Sequence, residues 1–175
     1  AVQIGPGALR PHLGALRTVP RDVPPVGNPP PNVSELLQRS TTDLVEAARN
    51  GEFDPVIGRD VEVRRVLQIL ERRAKNHPLL VGEPGVGKTA IVRALAQRIA
   101  NGDVPRHLAK TRLLALDLGG VIAGAKLRGE IEERLRAVLL ALKATETGEA
   151  ILFIEDLAAL FGGGPGPGGV GELLK

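Results

Sequence analysis

The residues with the most chemical meaning in this chain stand eight in a row, Gly82-Glu83-Pro84-Gly85-Val86-Gly87-Lys88-Thr89. They meet the pattern G-x-x-x-x-G-K-[ST] in full. Glycines at these positions let backbone amides wrap the β- and γ-phosphates of a nucleotide without side-chain interference. Lys88 brings a point charge to the same phosphates, and the Thr89 hydroxyl is suited to ligate Mg²⁺. A helix running on through Ala90 would aim its positive N-terminal dipole at the anion. The run predicts binding of a nucleoside triphosphate, ATP, with Mg²⁺ as its ion. The bland alternative is a glycine turn with an incidental Lys-Thr. Context argues against it, because the apolar run Leu79-Leu80-Val81 precedes the loop and an apolar helix follows.

A second constellation lies downstream, where the apolar run Ile151-Leu152-Phe153-Ile154 ends in Glu155-Asp156. In phosphate-loop ATPases a strand-end carboxylate holds Mg²⁺, and a neighbouring one orients or deprotonates the attacking water. That pattern gives Glu155 to the metal and Asp156 to the water. The same two acids would also suit the start of a helix near Leu157, where negative charge is favoured. Taken alone they leave both readings open; beside the glycine loop, the catalytic one is preferred.

These residues need a scaffold, and the sequence predicts one in pieces. A helical stretch after Ser34 carries Leu44, Val45 and Ala48 and stops at Asn50-Gly51. Asp54-Pro55-Val56-Ile57-Gly58 reads as a turn. Asp60 is placed to cap a helix with Val63, Val66, Leu67 and Leu70 on one face, ended by Pro78. Leu79-Leu80-Val81 is a short buried strand, and Ala90 to Ala100 a helix stopped by Asn101-Gly102. Arg112 to Leu118 reads as a second strand. Ile131, Leu135, Val138, Leu139 and Leu142 mark another amphipathic helix, before a third strand at Ile151 to Ile154. Strands alternating with helices of this length predict an α/β fold, a parallel sheet flanked by helices.

Eight of the 14 prolines fall between Pro6 and Pro31. Proline lacks an amide donor and restricts its predecessor, so residues 1–32 are expected to be an extended linker, the alternative being that a short helix around Ala8 to Arg17 is the end of a preceding domain. Residues 33–175 form the expected nucleotide-binding domain. From Gly162 to Gly171 seven of ten residues are glycine, the composition of a mobile loop. Cysteine is absent, which excludes disulfides and thiolate metal sites. His12, His77 and His107 are too scattered to suggest zinc. No apolar run approaches the ~20 residues of a membrane span, so a cytoplasmic setting and no membrane partner are expected. Net charge is +3, with Phe53, Phe153 and Phe161 the only aromatics. Little is available to stack on bases, and nucleic acid is not an expected partner. Arg64, Arg65, Arg72 and Arg73 read as a solvated helical face.

Several segments together resemble Clp-type AAA+ unfoldases: Asp54 to Asp60, the phosphate loop with Ala90-Ile91-Val92, and Ala94 to Ile99. Gly102-Asp103-Val104-Pro105, Ala123 to Glu130 and Glu132-Glu133-Arg134-Leu135 extend the likeness, which covers about residues 42 to 175. The resemblance implies a ring, usually hexameric, that spends ATP to pull polypeptide substrates through a central pore. It implies that Val56 and Ile57 line the adenine pocket. It further implies that Lys126-Leu127-Arg128-Gly129 is the loop that grips substrate.

Three departures from that pattern shape the expectations. The family has Asp then Glu at the strand end, whereas this chain has Glu155 then Asp156. Displacing a reacting group by ~1 Å costs on the order of a hundredfold in rate, so slow or impaired hydrolysis is expected. Leu127 stands where the family has an aromatic, which implies weaker substrate grip. The sequence also stops before the family's next strand, its sensor residue and its arginine finger. The expected consequence is an incomplete domain with an open gap between the phosphate-loop strand and the acid-bearing strand. The competing reading is a nucleotide-dependent scaffold that does not hydrolyse. A third, a nucleic-acid remodeller, is disfavoured by the low charge and few aromatics.

Overall fold

The computed structural model describes residues 3–5, 13–18, 33–122, 128–144 and 150–156. In chain order the elements are β1 (Gln3–Gly5), β2 (Leu13–Thr18), α1 (Val33–Ser40), β3 (Thr41–Asp43), α2 (Leu44–Arg49) and α3 (Asp60–Leu70). There follow β4 (Leu79–Val81), α4 (Lys88–Asn101), β5 (Arg112–Leu116), α5 (Leu118–Ile122), α6 (Arg128–Ala144) and β6 (Ala150–Ile154). Among the described residues no helix is long and apolar enough to cross a membrane.

The strands form one six-stranded sheet in the order β1-β4-β2-β6-β5-β3. Successive strand residues point to opposite faces, and both faces are covered. Leu80, Leu113, Ile151 and Phe153 pack on one side with residues of α2, α3 and α4. Leu79, Leu114, Leu116, Leu152 and Ile154 pack on the other with residues of α1, α5 and α6. This three-layer burial explains why β4, β5 and β6 read as nearly continuous apolar runs. On α4, Ile91, Val92, Leu95, Ala96 and Ile99 are buried, one stripe of a helix seated on the sheet.

The sheet is mixed, which corrects the expected parallel one. β5 and β6 pair in parallel, but β2 runs antiparallel to both β4 and β6. β1 and β3 are antiparallel edge strands. The gap expected between the phosphate-loop strand and the acid-bearing strand is filled by β2. Leu13↔Val81, Gly14↔Leu80 and Ala15↔Leu79 register it on β4; Ala15↔Ile154 through Thr18↔Ile151 register it on β6. Residues 13–17 are therefore strand, not helix, and 3–5 and 13–18 belong to the sheet, not to a linker. The physical reason is that two strands one place apart leave rows of backbone donors and acceptors that must find partners. The prolines are compatible with this because Pro6, Pro11 and Pro20 lie outside both strands.

Smaller corrections follow from local chemistry. The stretch after Ser34 is two helices separated by β3. Asp43 ends that strand and caps α2, its Oδ1 accepting from the amides of Val45 and Glu46 at 3.0 and 3.2 Å. Asp60 is the first residue of α3 rather than its cap; Arg59 holds the cap position and makes no side-chain cap bond. The helix ends at Leu70, well before Pro78. α4 starts at Lys88 and stops where Gly102 takes a left-handed φ of 73°. Arg64, Arg65, Arg72 and Arg73 are exposed, as read from the sequence. The helix expected near Leu157 and the glycine-rich segment 162–171 lie outside the described residues.

Candidate functional site

Because β2 is antiparallel to both neighbours, β4 and β6 run the same way and their C-terminal ends open on one edge of the sheet. That edge is where ligands bind in sheets of this kind. β4 delivers the chain into Gly82 to Thr89, and β6 delivers Glu155 and Asp156. A cavity of about 310 Å³ opens between them, lined by Pro84, Gly85, Gly87, Lys88, Thr89, Phe153, Glu155 and Asp156.

The loop turns through Gly85 and Gly87, with φ of 80° and 95°, a conformation other residues adopt only at a cost. The Val86 amide reaches the Glu83 carbonyl only at 3.5 Å. Gly87 caps α4 without any side-chain hydrogen bond, so the first amides of the helix have no capping side chain. Such amides are available to an anion. The Lys88 ammonium folds over the loop, donating to the carbonyls of Gly82 at 2.9 Å and Glu83 at 3.0 Å. Thr89 Oγ1 donates to Glu155 Oε1 at 2.5 Å. A hydroxyl beside a carboxylate is the hard oxygen pair that Mg²⁺ prefers, so these residues fit the ion. Asp156 stands next to them, exposed on the cavity wall.

The structure thus gathers the glycine loop, Lys88, Thr89, Glu155 and Asp156 at one place. Ala90 follows in the first turn of α4. Val56 is half-buried against the core, whereas Ile57 is 90% exposed. Neither is among the residues lining the cavity. Lys126 and Leu127 lie outside the described residues; Arg128 and Gly129 open α6.

Sequence reasoning missed the group that ties the Asp54–Asp60 segment to the site. Arg59 Nη2 donates to the Val86 carbonyl at 2.6 Å. Gln97 on α4 donates to the carbonyls of Phe53 and Asp54, and Arg98 pairs with Asp60. Arg93 lies over the Phe53 ring, 5.4 Å from its centre. An arginine next to a turn glycine carries no periodic signal, and the family-like segment that contains it gave it no role.

Residues 78–171 match the model of the ATPase family associated with various cellular activities (AAA). The chain belongs to this AAA family. Within it the likeness is to Clp and Hsp100 proteins. The chain is 55% identical over 150 residues to the chaperone protein ClpB of Vibrio cholerae, covering 83% of this chain and 17% of that protein. It is 57% identical over 146 residues to ClpB of Rhodopseudomonas palustris, covering 82% and 16%. Among solved structures, the closed state of Hsp104 with ATPγS and FITC-casein aligns with a TM-score of 0.64 and 42% identity, over 73% of this chain and 22% of that one. The Saccharomyces cerevisiae Hsp104–ADP complex aligns with a TM-score of 0.57 and 43% identity, over 63% and 19%. The chain therefore spans about one sixth of the length of the curated relatives it matches. It is a Clp-type AAA module homologous to ClpB and Hsp104.

Proposed function

We propose that this module binds MgATP at the Gly82–Thr89 loop and hydrolyses it, and that the intact protein uses the cycle to unfold or disaggregate polypeptides. The observation that carries this reading is the Thr89–Glu155 contact at the mouth of the glycine loop. It joins the end of β6 to the start of α4, and so brings together, beside the glycine loop, a hydroxyl and a carboxylate suited to a metal ion. In this reading the loop amides and Lys88 hold the β- and γ-phosphates, and Thr89 and Glu155 hold the ion. Bound Mg²⁺ would neutralise charge developing on the phosphates. Asp156 positions the attacking water and takes its proton.

The relatives' names and titles support the rest: chaperone proteins, and Hsp104 with casein. On that footing the partners are polypeptide substrates and further copies of the chain in a hexameric ring, in the cytoplasm. Val56 and Ile57 would face the adenine, and Lys126-Leu127-Arg128-Gly129 would grip substrate. A second reading, ATP binding without turnover, is favoured by one feature, the order Glu155-Asp156. The deciding experiment is Mg²⁺-dependent ATP turnover by the intact protein beside Lys88→Ala. Turnover lost in the variant supports the motor. Binding without turnover supports the scaffold, and no binding by the wild type sinks both.

A further inference from the structure

Arg59 stands at the start of α3 and reaches the phosphate loop from outside the cavity lining. One arm of its guanidinium donates to the Val86 carbonyl at 2.6 Å and the other to Glu62 Oε1 at 3.1 Å. The same group lies against Gly87, where an added Cβ would come within 3.1 Å of Nη2. A carbonyl in a glycine turn has no ladder or helical partner of its own, so it needs a side chain or water to hold its direction. Arginine does this with a planar fork that holds two acceptors at once, which a lysine ammonium on a flexible stem does less rigidly. The side chain is 31% exposed, so water is partly kept from the bond.

Arg59 is itself well anchored. The segment that carries it is tied to α4 before and after the turn, by Gln97 to the carbonyls of Phe53 and Asp54 and by Arg98 to Asp60. α4 is the helix that opens with Lys88-Thr89. The loop is thus held from both sides, by its own helix and by a guanidinium fastened to that helix through a separate path. We propose that Arg59 is a positioning residue for the phosphate loop: it fixes the Val86 carbonyl, and through it the direction of the Val86 to Thr89 amides that receive the phosphates. The proposal rests on the nucleotide reading above for its effect on affinity, but its geometric content stands on the unliganded protein.

The test uses the chain in three variants, Arg59→Gln, Arg59→Lys and Arg65→Gln. The last removes an exposed arginine on the same helix, one that donates to Gln68 and takes no part in the ties to α4. In the absence of ligand, ¹⁵N order parameters of the Val86, Gly87 and Lys88 amides are expected to fall in Arg59→Gln, to fall less in Arg59→Lys, and to stay unchanged in Arg65→Gln. Affinity for magnesium tripolyphosphate, which has no base, should fall about tenfold in Arg59→Gln and by the same factor for MgATP, since one charge-assisted bond is lost. Unchanged amide order and unchanged tripolyphosphate affinity in Arg59→Gln overturn the proposal. If Arg59→Gln does not fold, Arg59→Lys decides on the same two readouts. Failure of the wild type to bind MgATP would instead sink the nucleotide reading, while the amide order would still judge Arg59.

Discussion

The hydroxyl of Thr89 and the carboxylate of Glu155 meet at 2.5 Å although 66 positions separate them in sequence. Thr89 is placed by the first turn of α4, and Glu155 by the end of β6. The contact identifies Glu155, the first of the two acids, as the one that faces the glycine loop's threonine. Removing the hydroxyl should therefore weaken the magnesium-dependent part of ATP binding. Thr89→Ala is expected to lose about tenfold in affinity for MgATP and little for ATP in EDTA, as titration calorimetry with and without the metal would show. Equal losses in both conditions would count against the metal assignment.

Lys88 donates to two loop carbonyls, which keeps its ammonium over the glycine loop. In the nucleotide complex Lys88→Ala should lose a charge-assisted bond to the phosphates, worth about 1.5–3 kcal/mol. ATP affinity should then fall at least tenfold with little change in Tm, because the side chain lies on the cavity wall and not in the core. Fluorescent-nucleotide titration together with a melting curve separates the two effects.

The order of the acids makes a kinetic prediction. Asp156 is one methylene shorter than the glutamate found at this place in the family pattern, and errors of ~1 Å at a reacting group cost on the order of a hundredfold. The double variant Glu155→Asp with Asp156→Glu is expected to raise kcat for ATP in the intact protein while leaving KM within a few-fold. A double variant no faster than the wild type would show that the natural order already works.

Gly87 is a point where loop shape and packing coincide. Its φ of 95° disfavours any side chain, and a Cβ there would press on Arg59. Gly87→Ala should cost about 1–2 kcal/mol in stability and reduce ATP affinity. Gly51→Ala, at a similar φ of 72° but with nothing within 4 Å, should show the stability cost without the affinity loss.

The inserted strand can be tested by removing a donor. Ala15 is registered with Leu79 on one side and Ile154 on the other, so its amide faces a strand whichever way it points. Ala15→Pro should remove a ladder bond and leave a partner unsatisfied, a cost of about 1–3 kcal/mol. A broadened or lowered thermal transition is the expected result. A Tm equal to that of the wild type would place 13–18 outside the folded sheet.

The residues of the cradle were legible because their information is local. Glycines, a lysine and a threonine at fixed offsets, between an apolar strand and an apolar helix, specify the turn from Gly82 to Thr89 without reference to the rest of the chain. The same holds for α4, whose buried stripe is written in the spacing of Ile91, Leu95 and Ile99. The two faces of the sheet were foreshadowed by the unbroken apolar runs of β4 and β6. Helix ends were read less well. Arg59 holds the cap position of α3, and Asp60, the first residue of that helix, pairs instead with Arg98, a partner 38 residues away.

What the sequence by itself determined, then, is the turn of the glycine loop, the buried stripes of α3, α4 and α6, and the apolar strands β4 and β6, since turn chemistry and periodic burial depend on neighbours along the chain. Only the tertiary structure decided that Leu13–Thr18 runs antiparallel between β4 and β6, that Glu155 meets Thr89, and that Arg59 holds Val86. Strand pairing and side-chain contact depend on groups far apart in sequence finding partners for donors and acceptors that would otherwise be left unpaired, and no local pattern records which partner that will be.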